Sequence, residues 1–164
     1  MGKKTILLGQ IVISLSVFFG PMTMAQSSNG EPDIHIIYMG GPDCPPCVAW
    51  RGLELPKLQK SATFNAIKFS YVAKSIKSAV PSEFFLPSEV KPYREKLHRA
   101  GGGMGGSSQT AVVVNGEIFD YYFGARSADD IVAMITSIKA GERYPFDRCV
   151  QFFSSGRRTC SLRG

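Results

Sequence analysis

After its first 25 residues this chain of 164 has no stretch apolar and long enough to cross a bilayer, which takes roughly 20 residues. No internal repeat or low-complexity tract is present either. Histidine is scarce: His35 and His98 stand at metal-ligand spacing neither from each other nor from a cysteine, and read as hydrogen-bonded or solvated side chains. The charge is only mildly positive, 19 Lys and Arg against 13 Asp and Glu, and no nucleic-acid-binding module accompanies it. Proline is missing between Pro92 and Pro145, a gap that matters below.

The first 25 residues carry what the rest lacks. Lys3 and Lys4 form a basic start, Ile11 to Phe19 is an apolar run broken only by Ser14 and Ser16, and Thr23-Met24-Ala25 ends it on a small residue. This is the pattern of a secretory signal peptide cut after Ala25. The mature chain is then expected in the periplasm or an equivalent oxidising space, without stable membrane insertion, where disulfides persist. Residues 26–164 suit one domain with a core of its own.

Residues 26–33, "QSSNGEPD", are polar and turn-rich and read as a flexible leader. Ile34 to Met39 has the apolar density of a buried strand. Beyond the cysteines, Ala49, Leu53 and Pro56 recur at helical spacing, and Pro56 is expected to kink or end that helix. Ile67 to Ala73 alternates as a half-buried strand with Ile67, Phe69, Tyr71 and Ala73 on one side. Ser88 is a candidate cap for a helix bearing Val90, Tyr93, Leu97 and Ala100. Ala111 to Val114, the turn Asn115-Gly116 and Ile118 to Phe123 spell a hairpin. Ser127 and Asp130 resemble a capping box before a last helix lined by Ile131, Ile135 and Ile138 and ended by Gly141. A βαβ beginning and a hairpin finish imply an α/β fold: one central mixed sheet flanked by helices.

Cys44 and Cys47 sit between a strand and a helix as Cys-Pro-Pro-Cys. With Cys44 as N-cap, its sulfur faces the positive end of the helix dipole, which favours thiolate, the attacking species in disulfide exchange. The two prolines fall where helical N–H groups have no partner anyway, and they remove two donors, leaving the Cys47 amide as the main one to the Cys44 sulfur. A redox pair, a structural staple and a set of metal ligands all remain open on these grounds.

"CPPC" after a buried strand, followed by "TAVVVNGEIFDYYFG" and "SADDIVAMI", resembles the thioredoxin superfamily, specifically exported bacterial thiol:disulfide oxidoreductases, over residues 33–141. The resemblance implies a thioredoxin-like fold in which Cys44 is the nucleophile, Cys47 the resolving cysteine and Trp50 a neighbour of the site. It implies protein thiols or disulfides as substrates, a redox partner, and no cofactor. Two positions depart from the family. Gln109-Thr110 stands where a cis-proline usually presents backbone to substrate, and a non-proline cis bond costs about 2.5–4 kcal/mol, so a trans loop is expected. Tyr38 stands six residues before Cys44, where many members keep a buried acid, which leaves water or Asp43 to move protons. Without the proline, two such motifs in a dimer could also bind zinc or an iron–sulfur cluster. A further alternative is a non-catalytic thioredoxin-fold binding module of an envelope assembly.

Residues 142–164 form a C-terminal extension in which Cys149 and Cys160 suggest a structural disulfide, closing a loop of about twelve residues for roughly 3 kcal/mol; a second redox pair is the alternative. Gly101, Gly103 and Gly106 spell a dinucleotide fingerprint in the wrong helix-then-strand order. The segment is better suited to adapt around a thiol substrate before Gln109 and Thr110, with Met104 as a soft apolar contact. Phe84 to Pro87, "FFLP", is expected to pack on the core or at an edge, with an exposed apolar patch for a partner as the alternative.

Overall fold

The computed structural model describes residues 2, 30–106 and 108–152 and the backbone of 158–161. The expected signal peptide and the start of the leader lie outside the described residues. No helix among the described residues is long and apolar enough to cross a membrane.

Strand β1 (Ile34–Gly40) is buried along its whole length, as its near-continuous apolar run requires. It pairs in parallel with β2 (Lys68–Ala73) and antiparallel with β3 (Gln109–Val114), which pairs antiparallel with β4 (Glu117–Phe123). The four-stranded mixed sheet therefore has the order β2-β1-β3-β4. Helices cover both faces. Under α1 (Pro45–Leu53), α2 (Leu55–Gln59) and α4 (Ala128–Ala140) lie Ile34, Ile36, Tyr38, Val112 and Tyr122, packed with Trp50, Leu58 and Ile131. Under α3 (Arg94–Ala100) lie Ile37, Met39, Val72, Val113 and Tyr121, packed with Val90 and Leu97.

Local signals account for several boundaries. Ser127 accepts from the Asp130 amide at 3.1 Å while Asp130 Oδ2 accepts from the Ser127 amide at 3.3 Å, so the capping box forms with aspartate in the role glutamate usually takes. Two expectations fail for physical reasons. Ser88 does not start α3: the chain passes through a 3-10 turn at Lys91–Tyr93 that accommodates Pro92, and the helix begins at Arg94. In β2 both faces are covered, with Ser70 and Val72 buried and Phe69 and Tyr71 half-buried. Ser70 is a buried polar group with two partners: it donates to Glu89 at 2.9 Å and accepts from His35 Nε2 at 2.9 Å.

Residues 30–33, the end of the expected leader, are tied to the domain by Glu31 to Lys139 and by Asp33 to Lys68 and Asn115. Phe84 and Phe85 are 86% and 71% exposed rather than packed, and only Leu86 of that segment turns inward.

The C-terminal extension leaves α4 at Gly141 and forms β5 (Arg148–Phe152), paired antiparallel with β6 (Arg158–Ser161). Its anchor is the fully buried carboxylate of Asp120 in β4. That carboxylate accepts from Arg126 at 3.1 Å, from the Tyr144 hydroxyl at 2.9 Å and from the Cys149 amide at 2.8 Å. The Arg126 guanidinium is held between the rings of Tyr122 and Phe146, 3.8 and 4.0 Å from their centroids. A buried charge whose partner is removed is left uncompensated. Asp120→Ala is expected to cost about 3–5 kcal/mol in urea denaturation and to open residues 142–152 to limited proteolysis.

Candidate functional site around Cys44 and Cys47

The site forms where β1 ends and α1 begins. Cys44 is the N-cap in extended conformation, Pro45 and Pro46 fill the first helical positions, and Cys44 and Cys47 are joined by a disulfide. The Cys47 amide donates to the Cys44 sulfur at 3.3 Å. On reduction the same N–H would face a thiolate at a helix N-terminus, an arrangement that lowers a cysteine pKa.

Cys47 is buried against the strand it has just left. A Cβ on Gly40 would stand 3.0 Å from Cys47 Sγ and 3.1 Å from Tyr38 Cε1, so glycine lets the helix close down on the strand end without either neighbour giving way. Beneath it Tyr38 stacks on Trp50 at 4.2 Å, and Trp50 Nε1 donates to the Arg126 carbonyl at 2.6 Å. Trp50 is thus buried as a floor under the pair, and its indole joins the site to the Asp120–Arg126 anchor.

Sheet register places Tyr71, Tyr38, Thr110 and Tyr122 side by side across all four strands. This is a row of hydroxyl-bearing residues under the site, with Tyr38 at its middle. Tyr71 donates to the Gly40 carbonyl at 2.7 Å. Tyr38 Oη and Ser108 Oγ are both buried without a hydrogen bond of good geometry. The Ser108 hydroxyl still lies close enough to favour tyrosinate, but burial outweighs it and holds the Tyr38 pKa above its ordinary value.

The neighbouring loops are knitted together by backbone contacts. Asp43 is exposed and accepts from Ser75 Oγ at 2.6 Å and from the Ile76 amide at 3.0 and 3.1 Å. The Ser75 hydroxyl is the main cause of its lowered pKa. Asp43 therefore serves as a loop clamp. Lys74 is 5% exposed, and its ammonium donates to the carbonyls of Ser78 at 2.8 Å, Ser75 at 3.3 Å and Gly106 at 3.5 Å. Burial holds its pKa below the usual lysine value. A Cβ on Gly105 would meet the Lys77 carbonyl oxygen at 2.4 Å, which fixes glycine where the 101–106 loop crosses the exit of β2.

No cis peptide bond occurs among the described residues, and Thr110 lies within β3. Gln109 and Thr110 are 0% and 1% exposed. The Gln109 amide donates to the Met104 carbonyl at 2.9 Å and accepts from the Tyr121 hydroxyl at 2.6 Å, so this side chain holds the glycine-rich loop rather than facing outward. Met104 is half-buried. Cys149 faces Cys160 in the β5–β6 register, but the Cys160 side chain, and with it the expected bridge, lies outside the described residues. A cavity of about 350 Å³ lined by Val114, Phe119, Ile138 and Tyr144 lies at the opposite end of β3 from the cysteines. No three His, Cys, Asp or Glu side chains converge as a metal site among the described residues.

Ser108 and Lys74 were missed from sequence. A serine after a glycine run and a lysine at a strand end both read as solvent-facing, and only the tertiary fold buries them.

Searches against family models and curated proteins found no match to this chain.

Two outcomes follow from this geometry. Gly40→Ala forces Cys47 or Tyr38 to move and is expected to cost about 1–3 kcal/mol by chemical denaturation, as overpacking does. The Asp43 clamp contributes above the ordinary aspartate pKa of about 4 and is lost as pH falls through its lowered value. Hydrogen exchange at the Ile76 amide is expected to be slow at neutral pH and to lose protection as pH falls below about 4, and Asp43→Asn should weaken that protection at neutral pH.

Proposed function

We propose that this protein is an exported thiol–disulfide oxidoreductase of thioredoxin-like architecture, acting on protein cysteines through Cys44 and Cys47. The observation that carries the reading is the disulfide at a helix start, with Cys44 as N-cap, prolines at the next two positions and the Cys47 amide as sulfur donor. The strand order β2-β1-β3-β4, with only β1 and β2 parallel, supports the architecture. The basic, apolar, small-residue start supports export.

In the oxidising direction a substrate thiol, as thiolate, attacks Cys44 Sγ. The Cys44–Cys47 bond breaks, its electron pair leaves on Cys47, and Cys47 takes up the proton the substrate released. A second substrate thiol then attacks the mixed disulfide and expels the Cys44 thiolate, which leaves an oxidised substrate and a reduced pair. The reducing direction is the reverse, with Cys47 resolving the mixed disulfide.

One observation favours a second reading. Cys44 is 1% exposed and Cys47 0%, which suits a binding module whose disulfide is structural. Reactivity separates the two. For the enzyme, dithiothreitol reduces the pair readily and reduced Cys44 alkylates with a midpoint below about 8.5, the ordinary cysteine value. Cys44→Ser abolishes insulin-disulfide reduction and dithiol oxidation, and Cys47→Ser accumulates a mixed disulfide at Cys44. Retained activity in Cys44→Ser, or a pair inert to thiols, overturns the enzymatic reading.

A further inference from the structure

The C-terminal extension packs against the end of the sheet remote from the disulfide and leaves a cavity of about 350 Å³ there. Val114 at the end of β3, Phe119 in β4 and Ile138 in α4 wall it from the domain side; Tyr144, Phe146 and Arg148 wall it from the extension. This is the size of a small-molecule site. Interiors packed to ordinary density leave few voids larger than a water molecule, and an apolar one gives water too few polar partners to hold it.

Most hydrogen-bond donors around the cavity are committed elsewhere. The Tyr144 hydroxyl donates to Asp120 and the Ser137 hydroxyl to the Met134 carbonyl at 2.8 Å. At the end of α4 the amides of Gly141 and Glu142 are taken by the carbonyls of Ile138 and Ser137. Arg148 remains. Its guanidinium lies over the Phe119 ring, 4.2 Å from the centroid, and no carboxylate among the described residues pairs with it. A guanidinium stacked by its face keeps its N–H edge available, and that planar fork matches a carboxylate through two parallel bonds. Half-burial beside an aromatic ring makes such a pair stronger than it would be in water. Glu142, the acid among the lining residues, is exposed at the rim, where it is solvated and opposes a second negative charge.

We propose that this cavity binds a monocarboxylate with an apolar body, the carboxylate held by Arg148 and the body lying among Val114, Phe119, Ile138 and Phe146. A dicarboxylate or a phosphate ester would bring excess negative charge toward Glu142. Because its walls come from both the domain and the extension, the ligand joins the two. The inference is independent of the exchange reading, since the cavity touches neither Cys44 nor Cys47.

The test titrates the oxidised full chain with octanoate, 3-phenylpropionate, 1-octanol and octylamine by calorimetry, and follows limited proteolysis of residues 142–152 in parallel. At least one carboxylate is expected to bind saturably and to slow that cleavage; octanoate against 3-phenylpropionate distinguishes an aliphatic source from an aromatic one. Octanol and octylamine are expected to bind about tenfold more weakly or worse, since neither forms the charge-assisted bonds. Arg148→Met keeps an apolar stem on Phe119 and is expected to bring the carboxylate down to the affinity of octanol. Ile138→Phe, which fills the cavity, is expected to weaken every ligand; should it fail to fold by circular dichroism, Arg148→Met decides the matter alone. No saturable binding by the wild-type chain, as when another part of the chain or a second copy fills the space, overturns the inference. So does binding that octanol or octylamine matches, that Arg148→Met leaves unchanged, or that gives residues 142–152 no protection.

Discussion

The close approach of the Cys47 sulfur to Gly40 is the constraint around which the site is built. Three residues, Gly41 to Asp43, separate the end of β1 from the N-cap of α1, so the first turn of the helix lies directly over the strand it follows. That turn sits there without crowding because Gly40 has no side chain. Once it does, the two sulfurs fall within bonding distance and Trp50 comes down on Tyr38 one helical turn later. The prolines fit the same geometry, since the first turn of a helix has no intrahelical use for the N–H groups they lack. Strand end, disulfide and aromatic floor are thus consequences of one short connection.

The floor is continuous with the rest of the molecule. Trp50 Nε1 bonds the Arg126 carbonyl, the Arg126 guanidinium lies between two aromatic rings, and Asp120 joins it to Tyr144 and the Cys149 amide of the extension. The extension therefore completes a polar network that begins under the disulfide. A buried ion pair of this kind is weak as a source of stability, but it fixes position, because each group has few other ways of being satisfied.

Much of this was legible in the residues. The apolar run of β1, the Asn115-Gly116 turn and the box at Ser127 mark their elements because each depends on local chemistry. The N-cap role of Cys44 and the donor at Cys47 were readable for the same reason, since two prolines in succession leave few alternatives. Tertiary burial was harder to read. Ala49, Leu53 and Pro56 do share a helix face, but it is the outer one, because the disulfide and Trp50 claim the inner one. Periodicity reports that residues share a side without saying which side faces the core. Gln109 looked like a surface contact and is buried, because its amide finds both a carbonyl and a phenol inside the fold. Phe84 and Phe85, expected to pack on the core or at an edge with an exposed patch as the alternative, stand in solvent.

The burial of Cys44 divides the surroundings of the disulfide into parts of unequal strength. Below it lie stacked rings and strands paired on both sides, whose disruption requires much of the sheet to open. Beside it lie loops held by an exposed aspartate clamp, by carbonyls gathered around one lysine, and by glycines that bring backbones together without side-chain packing. Segments with few buried apolar contacts and solvent-exposed hydrogen bonds open at the lowest free energy. Residues 41–43, 74–78 and 104–106 are the part of these surroundings held together chiefly by hydrogen bonds, while the stacked rings lie beneath Cys47. The disulfide thus has rigid packing beneath Cys47 and hydrogen-bonded loops beside Cys44.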